Sequence, residues 1–106
     1  MDLRIEALLS VQRALWDVVT PGLRGVAMSV RETRIQARFV FDHDPDESEC
    51  EDVTLAETSM VADFFPRAEI TFEAVELLTT EPRVLEPGEE WVYLRKEHAD
   101  EWSAGA

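Results

Sequence analysis

Apolar residues recur at two different periods along this chain, and the change from one to the other predicts its elements. Over residues 3–19, Ile5, Leu8, Val11, Leu15 and Val18 fall on one face of a helix, broadened by Leu9 and Trp16, with Asp2 as the cap. The helix ends at Thr20-Pro21-Gly22. Such a wide face predicts a helix lying across a sheet and touching a second helix, with Trp16 packed at the edge of the core. Period two then takes over. In residues 24–30, Val26, Met28 and Val30 alternate with Ala27 and Ser29. In residues 34–41, Ile35, Ala37, Phe39 and Phe41 alternate with Arg34, Gln36, Arg38 and Val40. The break at Arg31-Glu32-Thr33 makes these a hairpin.

A second helix follows, with Asp44 as its expected N-cap and Pro45 at its first position. Val53, Ala56, Met60, Val61 and Phe64 form its apolar stripe, which Glu57 interrupts and Pro66 closes. Residues 68–75 alternate again, Ile70, Phe72 and Ala74 against Glu69, Thr71 and Glu73, and predict a third strand. Residues 77–90 contain Thr79-Thr80-Glu81-Pro82 and Glu86-Pro87-Gly88, a loop expected to be ordered in part. Residues 91–96 give a fourth strand with Val92 and Leu94 opposite Trp91, Tyr93 and Arg95. The expected fold class is α+β in the order α-β-β-α-β-β: a four-stranded, antiparallel-rich sheet with two helices packed on one face and the other face open. Residues 1–98 form a single domain on this reading, and residues 99–106 a frayed tail from which Trp102 docks on the domain.

Charge changes the picture more than composition does. The net charge is -13, but residues 1–41 carry six Arg against four acids, whereas residues 42–106 carry four basic residues against nineteen acids. The densest stretch is residues 42–52, where Asp42, Asp44, Asp46, Glu47, Glu49, Glu51 and Asp52 make seven acids in eleven positions. Such a field repels nucleic acid and anionic membrane surfaces and favours encounter with basic proteins. The single Cys50 forms no internal disulfide, and no apolar run approaches a membrane span, so the expected setting is the cytoplasm.

Candidate chemistry is sparse. Asp42-His43-Asp44-Pro45-Asp46 resembles the start of a calcium loop, but Glu47 replaces its turn glycine and Val53 its bidentate glutamate. His43 and Cys50 lack a second pair of zinc ligands. Cys50 lies between Glu49 and Glu51, a field that disfavours a thiolate. No phosphate loop, nucleophile elbow or metalloprotease motif is present, and Glu69, Glu73 and Glu76 read as a solvated face. The expectation is a non-enzymatic protein with no metal and no cofactor. A capped, dipole-matched helix start explains two or three of the acids and leaves the rest unaccounted for, because crowded like charges oppose one another.

The segments Leu8-Leu9-Ser10-Val11-Gln12-Arg13-Ala14-Leu15, Val19-Thr20-Pro21 with Leu23-Arg24, Phe39-Val40-Phe41-Asp42, Ala62-Asp63-Phe64 and Trp91-Val92-Tyr93-Leu94-Arg95-Lys96-Glu97 together resemble small acidic bacterial immunity-type proteins of secreted or contact-dependent toxin systems. The resemblance implies a cytosolic protein that binds and blocks a toxin domain, commonly a basic nuclease. It carries over no binding residue. From charge, the seven acids at 42–52 are the expected surface for a basic partner. The alternative is a homodimerising or protein-interaction domain built on the open sheet face, with Arg34, Arg38, Trp91 and Tyr93 as anchors.

Overall fold

The computed structural model describes residues 2–97; the expected tail at 99–106 lies outside them. The first helix, α1 (Leu3–Ala14), starts where the Asp2 carboxylate accepts the Ile5 N–H at 2.9 Å. It stops short of Val19, because residues 15–18 leave the helix through turns and Asp17 adopts a left-handed φ of 70°. Its buried row is Ala7, Ser10, Val11 and Ala14, a narrower stripe than the sequence predicts. Small residues there let the helix lie close to the sheet. Ile5, Leu9 and Trp16 are exposed instead, and Trp16, expected at the core edge, is 72% exposed. The Ser10 hydroxyl, donating to Asp63 of the second helix at 2.7 Å, pins this rotation.

Strands β1 (Leu23–Arg31) and β2 (Arg34–Phe41) form the predicted hairpin, turning at Glu32 and Thr33 with Glu32 at a positive φ of 54°. The helix α2 (Glu47–Phe64) then crosses to β3 (Glu69–Glu76), which lies parallel to β2 from Arg34 opposite Glu69 to Phe41 opposite Glu76. The last strand, β4 (Glu89–Leu94), pairs antiparallel with β1, and the sheet order is β3-β2-β1-β4. The element order and the four strands are as expected; the sheet is mixed, because β2 and β3 are joined by a helix rather than a turn. Val11, Val26, Met28, Ile35, Phe39, Phe41, Val53, Met60, Phe64 and Phe72 share one buried cluster between the helices and one sheet face.

Each helix also sends a polar side chain over a sheet edge. Glu57, which interrupts the α2 stripe, accepts the outward N–H of Phe72 on β3 at 2.8 Å, and Gln12 donates to the carbonyl of Val92 on β4 at 2.9 Å. Both outer strands are thereby partly blunted.

The second sheet face is not open as expected. Residues 77–88 lie over it, held by Arg24, whose Nη1 donates to the carbonyls of Leu77, Leu78 and Glu81 at 3.0–3.1 Å. Nε and Nη2 of the same guanidinium form a two-pronged pair with Glu97 at 2.9 and 3.0 Å. Arg24 is 1% exposed, and Ala27 and Ser29 of β1 and Val40 of β2 are buried as well. Arg31 donates to Pro87, Arg38 to Val84, and Arg83 to the carbonyls of Arg24 and Arg95. Only the end of the face bearing Arg34, Gln36, Glu69 and Thr71 stays exposed, and there the expected Arg34 to Glu69 pair forms at 3.5 Å. Val92 is an extra residue in β4 between the pairs Val26–Tyr93 and Ala27–Trp91, and it changes the phase of that strand: Tyr93 packs on the core, while Leu94, expected inside, is 47% exposed.

Removing Arg24 leaves the carbonyls of Leu77, Leu78 and Glu81 without their donor and takes from Glu97 its two-pronged partner. Arg24→Met is expected to cost about 3–5 kcal/mol in urea denaturation, and adding Glu97→Leu to cost more, because Arg83 and Arg95 then lose their shared carboxylate. A loss below about 1 kcal/mol for the single change would contradict the role given to Arg24.

Candidate functional site

The start of α2 is built by a capping box two residues later than the sequence predicts. Asp46, not Asp44, is the N-cap: its carboxylate accepts the Glu49 N–H at 2.8 Å, and the Glu49 carboxylate accepts the Asp46 N–H at 3.0 Å. This phase places Glu49 on the buried row with Val53, Ala56, Met60 and Phe64.

His43 fixes Glu49 from outside the helix. Its Nε2 lies 2.6 Å from Glu49 Oε1 and its Nδ1 lies 2.6 Å from Asp42 Oδ1, so both ring nitrogens face carboxylates and the ring carries two protons. The hydrogen bonds to Asp42 and then to Glu49 raise its pKa from 6.5 to about 9. Asp42 in turn accepts Arg95 Nη1 at 2.8 Å, and the bonds from Arg95 and His43 hold its carboxyl below the usual range. Arg95 Nη2 reaches Glu97 at 3.0 Å. An unbroken line of charged groups therefore runs Glu49, His43, Asp42, Arg95, Glu97, Arg24.

The seven acids singled out in the sequence are thus of two kinds. Asp42, Asp46 and Glu49 are tied into the fold. Asp44, Glu47 and Glu51 are exposed and Asp52 is half-buried, and among the described residues none of these four forms an ion pair. They project from one helix start with no cation to offset them. Cys50 is exposed among them and has only a 3.9 Å contact to the Pro45 carbonyl. Among the described residues, no three His, Cys, Asp or Glu side chains are arranged to hold a metal ion, and no helix is long and apolar enough to cross a membrane.

The four anchors of the alternative surface are not brought together. Arg38 and Trp91 lie on one row across Ala27, but Arg38 is engaged by Glu89 at 2.7 Å and roofed by the 77–88 loop. Arg34 is at the exposed end of the face, and Tyr93 packs on the core. What sequence reasoning missed is the group formed by Arg24, Arg83, Arg95 and Glu97. One signal was legible: Arg24 stands in the otherwise uncharged run Leu23 to Val30, and a cation in a buried strand must have a partner.

Among protein families, the model of the MafI2 immunity protein matches residues 4–97, which span the whole described fold. The chain belongs to the MafI2 immunity protein family. No curated protein matches it. Membership gives this chain an immunity role, and immunity proteins act by binding a toxin partner. The displayed acids and the buried ionic line behind them are therefore parts of a MafI2 immunity protein.

The clamp on His43 has a definite pH dependence. A folded-state pKa raised above the ordinary 6.5 means that the stabilisation is complete below about pH 6.5 and is lost as pH rises through about 9. The urea midpoint of the native chain is expected to fall across that window, and His43→Gln to flatten the fall. An equal pH dependence in the two proteins would contradict the clamp.

Proposed function

We propose that this immunity protein neutralises a basic, nuclease-like toxin domain, and that the acidic start of α2 covers the cationic surface with which the toxin holds its substrate. The observation that carries this reading is the split among the acids: Asp44, Glu47 and Glu51, exposed, and Asp52, half-buried, form no ion pair among the described residues, at and just before a helix start fixed from behind by the capping box and His43. Four acids crowded this way weaken the fold through their own repulsion. A Lys- and Arg-rich partner relieves that repulsion on binding. Fixed carboxylates on a rigid helix also lose little freedom when they bind, which favours them over acids on a loose tail. The binder works by occlusion and no chemical step is assigned to it.

Changing Asp44 and Asp52 to Asn together with Glu47 and Glu51 to Gln is expected to weaken binding of the cognate toxin at least about tenfold, chiefly through slower association. Neutralising Glu69 and Glu73 on the sheet is expected to leave binding nearly unchanged. Full toxin protection by the four-fold variant, measured by growth of cells expressing the toxin, would contradict the proposal.

A further inference from the structure

Beneath the 77–88 loop, between β1 and β4, lies a cleft of about 330 Å³ with Pro82, Trp91 and Leu94 as its apolar walls and Arg24, Arg83 and Glu97 as its charged floor. Trp91 is pressed against the backbone at Gly25, where a Cβ would meet the ring at 2.9 Å, so that wall is fixed in place.

The floor is short of negative charge. Along the ionic line, four cations, Arg24, Arg83, Arg95 and His43, share three carboxylates, Glu97, Asp42 and Glu49. Arg24 holds Glu97 with two prongs, and Arg95 divides itself between Asp42 and Glu97. Arg83 receives what is left. Its Nε stands 3.4 Å from Glu97 Oε1, an oxygen already bonded to Arg24, and its Nη1 donates to two main-chain carbonyls. Among the described residues no other carboxylate pairs with it. Burial, with the charges of Arg24 and Arg95, holds its pKa below the usual arginine value despite Glu97. In a chain of net charge -13, an arginine short of anions at the bottom of an apolar-walled cleft is a selective feature.

We propose that this cleft receives a carboxylate side chain of the toxin, an aspartate or glutamate whose oxygens meet the Arg83 guanidinium while its methylenes lie against Trp91 and Leu94. The proposal rests on the reading that the chain binds a toxin, and it gives that interface a second part. The acids of α2 attract any basic surface, whereas the cleft accepts one that carries an acid at the right place. Attraction sets the speed of encounter, and the cleft sets register and choice of partner. With Nη1 committed to two carbonyls and Nε facing Glu97, Nη2 of Arg83 is the group left to donate to an incoming carboxylate in a charge-assisted hydrogen bond.

The test uses the full chain and two small probes, N-acetyl-glutamate amide and its neutral isostere N-acetyl-glutamine amide. The side-chain nitrogen resonances of Arg83 and Trp91 report binding. The expected result is a saturable shift at both residues with the glutamate probe and at least about fivefold weaker binding of the glutamine probe. Arg83→Gln should abolish the difference and Arg34→Gln, at the far end of the sheet face, should preserve it. Because Arg83 also holds two carbonyls, Leu94→Glu supplies a second variant: a carboxylate built into the cleft wall should suppress binding of the probe with the loop contacts left in place. Equal response to both probes, no response at Arg83, or undiminished binding in both variants would overturn the proposal. None of these outcomes bears on the acids of α2, which the toxin-binding comparison measures separately.

Discussion

The buried guanidinium of Arg24 is the constraint from which the rest of the architecture follows. A cation in the first strand of a sheet is costly unless its donors are used, and here all three nitrogens have partners. Satisfying it requires the 77–88 loop to fold over the sheet and the chain after β4 to return Glu97 beneath it. Glu97 then orients Arg95, which orients Asp42, which with Glu49 encloses His43 at the head of α2. The position of the displayed acids is thus set partly by a residue in the first strand.

A division of labour between the two signs of charge emerges from the contacts. Arg24, Arg31, Arg38, Arg83 and Arg95 all donate to main-chain carbonyls and hold together a loop and a terminal segment whose backbone bonds to the sheet are few, Leu77 to Phe41 and Arg95 to Arg24. Half of the ten basic residues in the chain are used this way, so the cations act largely as internal scaffolding and the acids are left to dominate the surface. For an immunity protein this arrangement gives rigidity first: the arginines fix the shape on which any recognition surface is carried.

Much of this fold was legible in the pattern of apolar residues, because strands with one buried face and helices with one buried stripe announce themselves by period. The alternation of Ile35, Ala37, Phe39 and Phe41 gave β2 its face, and the i, i+3, i+4 spacing from Val53 to Phe64 gave α2 its row. The parallel pairing of β2 with β3 was not legible, since strand order depends on the path of the α2 crossover. The rotation of α1 was hidden because Ile5, Leu9 and Trp16 are as apolar as the residues that are buried, so composition did not distinguish the two faces. The roof over the second face was hidden by its own sequence: prolines and a glycine at 82, 87 and 88 look like slack until Arg24 is seen to hold the carbonyl of Glu81 and Arg31 that of Pro87. In the candidate site, the number of acids was visible, whereas the division into Asp42, Asp46 and Glu49 inside and Asp44, Glu47, Glu51 and Asp52 outside depends on hydrogen bonds to His43 and Arg95.

The most direct measurement of the central claim is the association rate of the intact chain with its cognate toxin domain, followed by stopped-flow fluorescence over a series of salt concentrations. Electrostatic steering by the α2 acids predicts a rate that falls steeply as salt rises while dissociation changes little. An association rate indifferent to salt would contradict the account, because the displayed acids would then play no part in capturing the toxin.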